Sequence, residues 1–304
     1  MEGARVLSKK FLSRGLLGLF LLLLATMPLY IQPYFVILLI TIYMYVIITL
    51  SWAIFSGPTR YISLASAAFF GVGVYTTAVL GQAIPLPLVI AIGGLVSLVL
   101  ALFMGFLTLR LKGMYFIIFT FGVSELIRRS LLWWETNIKG TVGRFVVSID
   151  QTTVYYVMLV IFVATLLTAY LMRRSKFGLA LRSIGEYEEA ALHIGINVTA
   201  LKAITFAISA FFMGAAGAIM ATRWMYIDPS IAFNPLFSFM PVLMAIFGGM
   251  GRLFGPILGA TILALLEEAL TTSFPYYYML LFGVILITVI LFLPNGLVGL
   301  IKKR

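Results

Sequence analysis

Long apolar runs, separated by short polar segments, recur along the whole chain. Most runs reach the roughly 20 residues that a helix needs to cross a bilayer. Backbone polar groups in lipid must be satisfied within the protein, which leaves helices or closed barrels. Barrel strands alternate apolar and polar residues, whereas residues 16–31 and 277–293 are nearly continuous apolar blocks. The pattern predicts an all-α, polytopic bundle of transmembrane helices.

Ten segments are candidate spans, and two of them are unusual. The candidates are residues 15–31, 35–55, 61–81, 85–109, 113–132, 153–172, 200–221, 236–249, 254–270 and 276–293. Residues 61–81 are rich in Ser, Ala and Gly, and residues 236–249 are short for a crossing at about 1.5 Å of rise per residue. Each suits a broken or re-entrant segment buried against other helices. The pattern therefore predicts about ten crossings, with eight or nine as alternatives.

The positive charges are distributed unevenly between the two sides that these spans define. Ten spans place sixteen of the 21 Lys and Arg residues on the side of both termini. The other five are Arg128, Arg129, Lys139, Arg144 and Arg223. Because cytoplasmic loops carry the excess of Lys and Arg, we expect both termini to be cytoplasmic. We expect a multi-pass protein of the plasma or inner membrane, with residues 1–304 as a single transmembrane domain.

The composition excludes several classes of chemistry. The chain has no Cys and one His, so thiolate chemistry and the usual metal clusters are absent. The G-x-x-x-x-G-K-[ST] phosphate loop is also missing. We therefore expect no enzyme, no metal site and no ATP hydrolysis of the P-loop type. The net charge of +11 is explained by membrane topology rather than by nucleic acid.

Residues 173–199, the polar segment, interrupt the apolar pattern on the predicted cytoplasmic side. Their apolar residues recur at three- and four-residue steps, which predicts short amphipathic helices. Gly178, Gly185 and Gly195 are expected to break or end these helices. The run from Glu189 to Gly195 reads E-A-A-x-x-x-G. Docking of a partner protein fits this pattern; a helix lying on lipid head groups is the alternative, which the mixed charges disfavour.

Glycine-rich helices and one acidic residue are the other candidates for function. Gly214, Gly217 and Ala218 form a small-residue face that favours close helix packing. Glycine-interrupted segments often mark the substrate path in transporters. We therefore assign a pathway or gating role to Ser63, Ser66, Phe69, Phe70, Gly71, Gly73, Gly248, Gly249 and Gly251.

Glu125 lies inside a predicted span, with Arg128 and Arg129 three and four residues later. This spacing predicts an ion pair on one helix face. Because ionisable residues inside a membrane are often functional, a role in gating or subunit contact is the alternative. Glu267 and Glu268 are interpreted as interfacial residues.

Several motifs occur in an order that resembles a known family. They are residues 63–64 (SL), 67–75 (AAFFGVGVY), 174–178 (RSKFG), 181–182 (LR), 195–199 (GINVT), 208–218 (ISAFFMGAAGA), 248–251 (GGMG), 255–260 (GPILGA) and 291–297 (LFLPNGL). Together they extend over most of the chain. On these motifs the sequence resembles the membrane permeases of branched-chain amino-acid ABC importers, of the LivM type.

The resemblance implies a fold and a set of partners. The fold would be that of a type II ABC importer permease. The polar segment would be the coupling helix that contacts an ATPase subunit, through Arg182, Glu188, Glu189, Ala190, Ala191 and Gly195. The chain itself would bind no cofactor, since ATP would be held by two ABC ATPase subunits. A second, homologous permease would complete a heterodimer, or a second copy a homodimer, and an extracytoplasmic solute-binding protein would deliver substrate.

Departures from the family pattern leave the solute open. Arg60 stands where the family commonly has glycine, and Ala65 and Ser66 replace the usual Gly and His or Gln. Related permeases move urea, short amides and other small solutes. A secondary transporter driven by an ion gradient is a further alternative. It would require acidic groups near the bilayer midplane, for which Glu125 is the candidate.

Overall fold

The computed structural model describes residues 23–108, 111–292 and 296–300. The predicted cytoplasmic termini lie outside these residues, as do parts of the first and last candidate spans. The described residues form α1 Pro33–Thr59, α2 Ser66–Leu80, α3 Leu86–Thr108, α4 Met114–Trp134, α5 Gln151–Arg174, α6 Lys176–Glu186, α7 Glu188–His193, α8 Val198–Met220, α9 Pro229–Ala232, α10 Leu236–Gly248, α11 Phe254–Ser273, α12 Tyr278–Phe292 and α13 Gly296–Leu300.

Two short strands join the two loops that were predicted to lie outside the cell. β1 (Arg144–Phe145) follows α4, and β2 (Tyr226–Ile227) follows α8. They pair antiparallel, with Arg144 opposite Ile227. Because the strands are hydrogen-bonded, both loops lie on one side of the bundle, as the predicted topology requires.

Within the described residues, six helical segments are long and apolar enough to span a membrane. They are α1, α3, α5, α8 with the 3-10 turn that ends at Arg223, α9 together with α10, and α11. The all-α membrane bundle is therefore confirmed. α4 has suitable length but contains the charged residues Glu125, Arg128 and Arg129. The count of about ten crossings stays a prediction.

α1 and α8 form the centre of the bundle. Most of the apolar stretch of each is buried, whereas α3 exposes most of its own. α1 packs against α5, α8, α10 and α11, and α8 packs most extensively against α3 and α2. Because α1 is apolar on nearly every side, its sequence suits this enclosed position.

The glycines of α8 bring three helices into backbone contact. A Cβ atom at Gly73 of α2 would overlap the carbonyl of Gly214. A Cβ atom at Gly93 of α3 would meet the Ala218 side chain at 3.0 Å. The Ser97 hydroxyl of α3 donates to the Phe69 carbonyl at 2.9 Å. The close packing predicted from the small residues of α8 is therefore observed.

The unusual candidate span 61–81 is broken in the structure. Residues 60–65 are not helical, yet Ser63 and Ala65 are buried. Side chains satisfy the free backbone groups: Trp52 donates to the Ser63 carbonyl at 2.8 Å, and Ser238 donates to the Leu64 carbonyl at 2.7 Å. Non-helical backbone is tolerated at membrane depth only with such partners. α2 begins after this break and is too short to cross a bilayer untilted.

Candidate functional site

The polar segment folds into two short helices between α5 and α8, as predicted. The Ser175 hydroxyl accepts a hydrogen bond from the Gly178 amide at 3.1 Å and caps α6. The Asn197 side chain accepts one from the Ala200 amide at 3.1 Å and caps α8. Side-chain oxygens at these positions satisfy amides that a helix start leaves free. The segment is thus separated from both spans by well-formed helix boundaries.

The glycines of the segment differ in role from the prediction. Gly178 and Gly185 lie inside α6 and do not break it. A Cβ atom at Gly178 would overlap the Met172 carbonyl, and one at Gly185 would overlap the Pro58 carbonyl. These two positions are therefore constrained by close backbone approach. Gly195, with φ of +84°, ends the second helix as predicted.

One face of the segment packs against the protein itself. Leu181, Ile184, Ala191 and Val198 are buried together in a small core. Ala191 was predicted to contact a partner, but it is 1% exposed and faces this core. The reason is the register of α7, which turns Ala191 inward and Ala190 outward. Ala191 therefore supports the helix from behind.

The opposite face is exposed and partly apolar. Arg182, Glu189, Ala190 and Gly195 are all exposed. Four large apolar side chains of the segment are also exposed: Leu179, Tyr187, Leu192 and Ile194. Exposed apolar groups rimmed by polar residues are typical of protein interaction sites. The outward face therefore has the composition of a docking surface.

A buried junction, formed by Lys202, Glu188 and Tyr61, ties the segment to α8 and α1. The Lys202 Nζ lies 2.9 Å from Glu188 Oε1 and donates to the Tyr61 hydroxyl at 2.9 Å. The Tyr61 hydroxyl donates to Glu188 Oε2 at 2.7 Å. The Lys202 side chain is 1% exposed and that of Glu188 19%. The segment is thus joined to both central helices by one desolvated charge cluster.

The electrostatics of the buried junction favour an ionised Glu188. Burial by itself raises the pKa of Glu188, but the hydrogen bonds from Tyr61 and Lys202 hold it below its ordinary value. Sequence reasoning missed both partners of Glu188. The sequence did contain a signal for this contact: Lys202 lies within the first five residues of the apolar helix α8, where a lysine needs a partner.

Two exposed ion pairs connect the segment to other loops. Arg60 pairs with Glu186 at 3.1 Å, and Lys112 pairs with Glu189 at 4.0 Å. Arg60 has a φ of +60°, a left-handed conformation that favours glycine. This conformation suits the glycine of the family pattern better than it suits Arg60. All three acidic residues of the segment therefore face a cation from a different part of the chain.

Grooves flank the segment on two sides. Arg60, Arg173 and Arg182 line one groove above apolar residues of α1. Arg173 also donates to the Gly251 carbonyl at 2.7 Å, which places Gly251 beside the segment. Lys112 and Glu189 line the other groove. The predicted coupling and pathway residues thus meet at Gly251.

The remaining pathway candidates lie deeper and are divided between two places. Ser63, Ser66, Phe69 and Phe70 are buried around the break before α2. A Cβ atom at Gly71 would overlap the Phe233 ring. Gly248 and Gly249 instead contact Gly255 at the start of α11. Their pathway role stays a prediction.

Glu125 lies apart from both groups on α4. It accepts hydrogen bonds from Arg128 at 2.6 Å and from Arg129 at 2.7 Å. The predicted ion pair is therefore present, and its role in gating is untested. Another acid, Glu135, was not anticipated. It is fully buried beneath the strand pair, where it accepts from the Gly143 amide at 2.9 Å.

Comparisons with known proteins identify the family. Residues 34–290 match the family model described as the permease component of branched-chain amino acid transport systems. The chain is 27% identical to the permease LivM of Salmonella typhimurium and 26% identical to LivM of Escherichia coli K12, in each case over 86% of this chain and 69% of the relative. It is 30% identical to the permease LivH of E. coli K12 over 47% of this chain and 46% of the relative.

No solved structure matches the chain significantly. The family match covers most of the sequence, and the relatives are named as high-affinity branched-chain amino acid transport permeases. These matches agree with the apolar helices and the broken spans described above. The chain belongs to the branched-chain amino acid transport permease family and is of the LivM type.

Proposed function

We propose that this chain is the permease subunit of an ATP-binding-cassette importer for branched-chain amino acids, and that the polar segment couples it to a separate ATPase. The observation that carries the coupling role is the two-sided construction of the segment. Its inner face is joined to α1 and α8 by the buried junction. Its outer face exposes four large apolar side chains. A partner bound outside would therefore move both central helices together.

The mechanism follows from this connection. ATP binding changes a helix arrangement only if the ATPase binds one arrangement more tightly than the other. A displacement of α7 is passed to α8 through Lys202 and to the end of α1 through Tyr61. Packed interfaces shift between discrete arrangements rather than deforming continuously. The polar segment thus acts as the lever, and α1 and α8 as the moving elements of the pathway.

The complete transporter requires further subunits. We infer two ATPase subunits that hold the ATP, because this chain lacks a phosphate loop. E. coli K12 has both LivM and LivH, which share the name of one transport system. This shared name supports a second, homologous permease here, and we infer a solute-binding protein outside the cell. The Lys and Arg distribution supports a cell-membrane location with cytoplasmic termini.

The coupling role is tested with variants on the outer face of the segment. Glu189→Lys and Gly195→Trp are expected to abolish ATP-dependent leucine uptake and co-purification of the ATPase, while membrane insertion persists. Gly195 has open space around it but a positive φ, so the strain of a side chain there must be separated from the effect at the docking surface by a control. Gly140→Trp is the matched control, because Gly140 also has positive φ and open space but lies on the opposite side.

Two results would contradict the proposal. Normal uptake and ATPase co-purification in both variants would remove the coupling role from the segment. Uptake by the chain alone in proteoliposomes, driven by an ion gradient without ATP, would indicate a secondary transporter. Competition by unlabelled urea or acetamide, but not by valine, would assign another solute to the same machinery.

A further inference from the structure

One face of α1 carries three hydroxyl groups that contact charged side chains of other elements. Tyr34 donates to Glu268 at 2.9 Å, and Tyr45 donates to Glu267 at 3.4 Å. Arg223 donates to the Thr41 hydroxyl at 3.2 Å. Positions 34, 41 and 45 are separated by seven and four residues, so they lie along one side of the helix. This side is a polar stripe within an apolar bundle.

The stripe extends well into the membrane. Glu267 comes thirteen residues after the start of α11, about 20 Å along the helix axis. Tyr45 comes fourteen residues before the end of α1, about 21 Å from that end. These heights agree, and they lie inside a hydrocarbon layer of about 30 Å. Tyr45 therefore brings Glu267 against the apolar span of α1, and an acid inside such a bundle is often functional. The interfacial position of Glu267 stays a prediction.

Arg223 and Glu267 contact α1 at two positions that are one helical turn apart. Thr41 and Tyr45 are four residues apart, and such neighbours have Cβ atoms about 5–6 Å from each other. No ion pair joins Arg223 to Glu267 in the described part of the chain, in contrast to Glu125 and Arg128. The Glu267 Oε2 atom is buried without a hydrogen-bond partner. A buried acceptor of this kind is costly unless something binds it.

The next contact along α1 is fully buried. Thr49, one further turn along α1, donates weakly to the Met244 sulfur of α10 at 3.6 Å. Methionine side chains adapt to aliphatic groups of different shape. A site with opposite charges above and a thioether below matches a small zwitterion with a branched aliphatic side chain.

We propose that Arg223 and Glu267 bind the carboxylate and the ammonium group of the amino acid as it enters the membrane from the outer side. This inference rests on the proposed function and adds a specificity site within the permease. Arg223 ends the α8 segment at its outer end, and its contact on α1 lies one turn from that of Glu267. The carboxylate is received first, and Glu267 then takes the ammonium group with its free oxygen. The Tyr45 hydroxyl orients the acid.

The test uses the complex that co-purifies with this chain, reconstituted with its binding protein in proteoliposomes. Arg223→Gln and Glu267→Gln are expected to reduce ATP-driven [³H]leucine uptake by about tenfold to a hundredfold, the loss that follows removal of one hydrogen bond to a charged group. Membrane insertion and co-purification of the ATPase are expected to persist, since neither residue contacts the polar segment among the described residues. Glu268→Gln is the matched control, because it has the same type of tyrosine contact but lies outside the pair.

A direct binding measurement separates binding from structural roles. In detergent, [³H]leucine is expected to bind the complex without its binding protein, and either variant is expected to weaken that binding while Tyr45→Phe weakens it less. If the wild type takes up leucine and both variants take up and bind leucine as well as the wild type does, this inference is overturned and the proposed function stands. Absence of ATP-driven leucine uptake by the wild type would instead refute the proposed function, and the inference with it.

Discussion

The interface of α2, α3 and α8 and the junction between the polar segment and α8 are held by opposite means. In the first, backbones meet at Gly73 and Gly214, and no charge takes part. In the second, a lysine, a glutamate and a tyrosine form a desolvated cluster. Within the bilayer there is no hydrophobic driving force between helices, so their association depends on close packing, which glycine permits. The charged junction holds a segment outside the spans, where apolar burial is limited to a few residues.

The two regions also differ in what a substitution would leave behind. A larger side chain at a glycine contact collides with backbone atoms, which cannot move aside by changing a rotamer. Removal of one charge from the buried junction leaves the other charge without a partner. An exposed ion pair leaves only solvated groups. We therefore expect three substitutions, one of each kind, to differ in their effect on stability.

Gly73→Leu is expected to have the largest effect. Its side chain would overlap the Gly214 carbonyl, so α2 and α8 must separate. We expect a loss of about 3 kcal/mol or more in the free energy of unfolding. Fluorescence-detected size exclusion and the thermal unfolding midpoint measure it. Gly122→Leu is the control, since Gly122 on α4 has nothing within 4 Å of its Cβ position; equal effects in the two variants would contradict the glycine contact.

Lys202→Met is expected to have an intermediate effect. Glu188 would keep Tyr61 but lose its counter-ion while remaining largely buried. We expect a loss of about 2–3 kcal/mol, below the full cost of an unpaired buried charge because Glu188 retains some exposure. ATP-driven uptake should fall further than stability, since the lever is detached from α8. The double variant Lys202→Met with Glu188→Gln should recover part of the stability, and no recovery would argue against the pair.

Arg60→Gly is expected to have the smallest effect. The variant loses an exposed ion pair with Glu186, worth about 1 kcal/mol or less. It also relieves a left-handed backbone conformation that costs a non-glycine residue about 1 kcal/mol. The two changes nearly cancel, so the unfolding midpoint and the uptake rate should stay close to wild type. A strong loss of uptake would show that the Arg60 side chain itself takes part in coupling.

Much of the fold was predictable, because the length and periodicity of an apolar run indicate whether a whole segment is a buried or membrane-spanning helix. α1, α5, α8 and α11 lie where continuous apolar runs placed them. The break in residues 61–81 was recognised from their composition. Residues 236–249 were expected to be too short for a crossing, but they belong to a longer apolar helical segment, residues 229–248, that is long enough to span a membrane. The internal position of Gly178 and Gly185 was not predictable, because the carbonyls they approach belong to Met172 and to Pro58, the latter far away in sequence.

The sequence alone predicted the class of protein from its apolar runs and basic residues, and the family from its motifs. It also predicted that the polar segment resembles a docking helix. Which charged groups meet was decided by folding alone. Glu188 finds Lys202 and Tyr61, and Glu267 finds Tyr45, only when α1, α8 and α11 are packed together. The physical reason is that a side-chain contact depends on distance and burial in space, and the separation of two residues along a chain of long helices specifies neither.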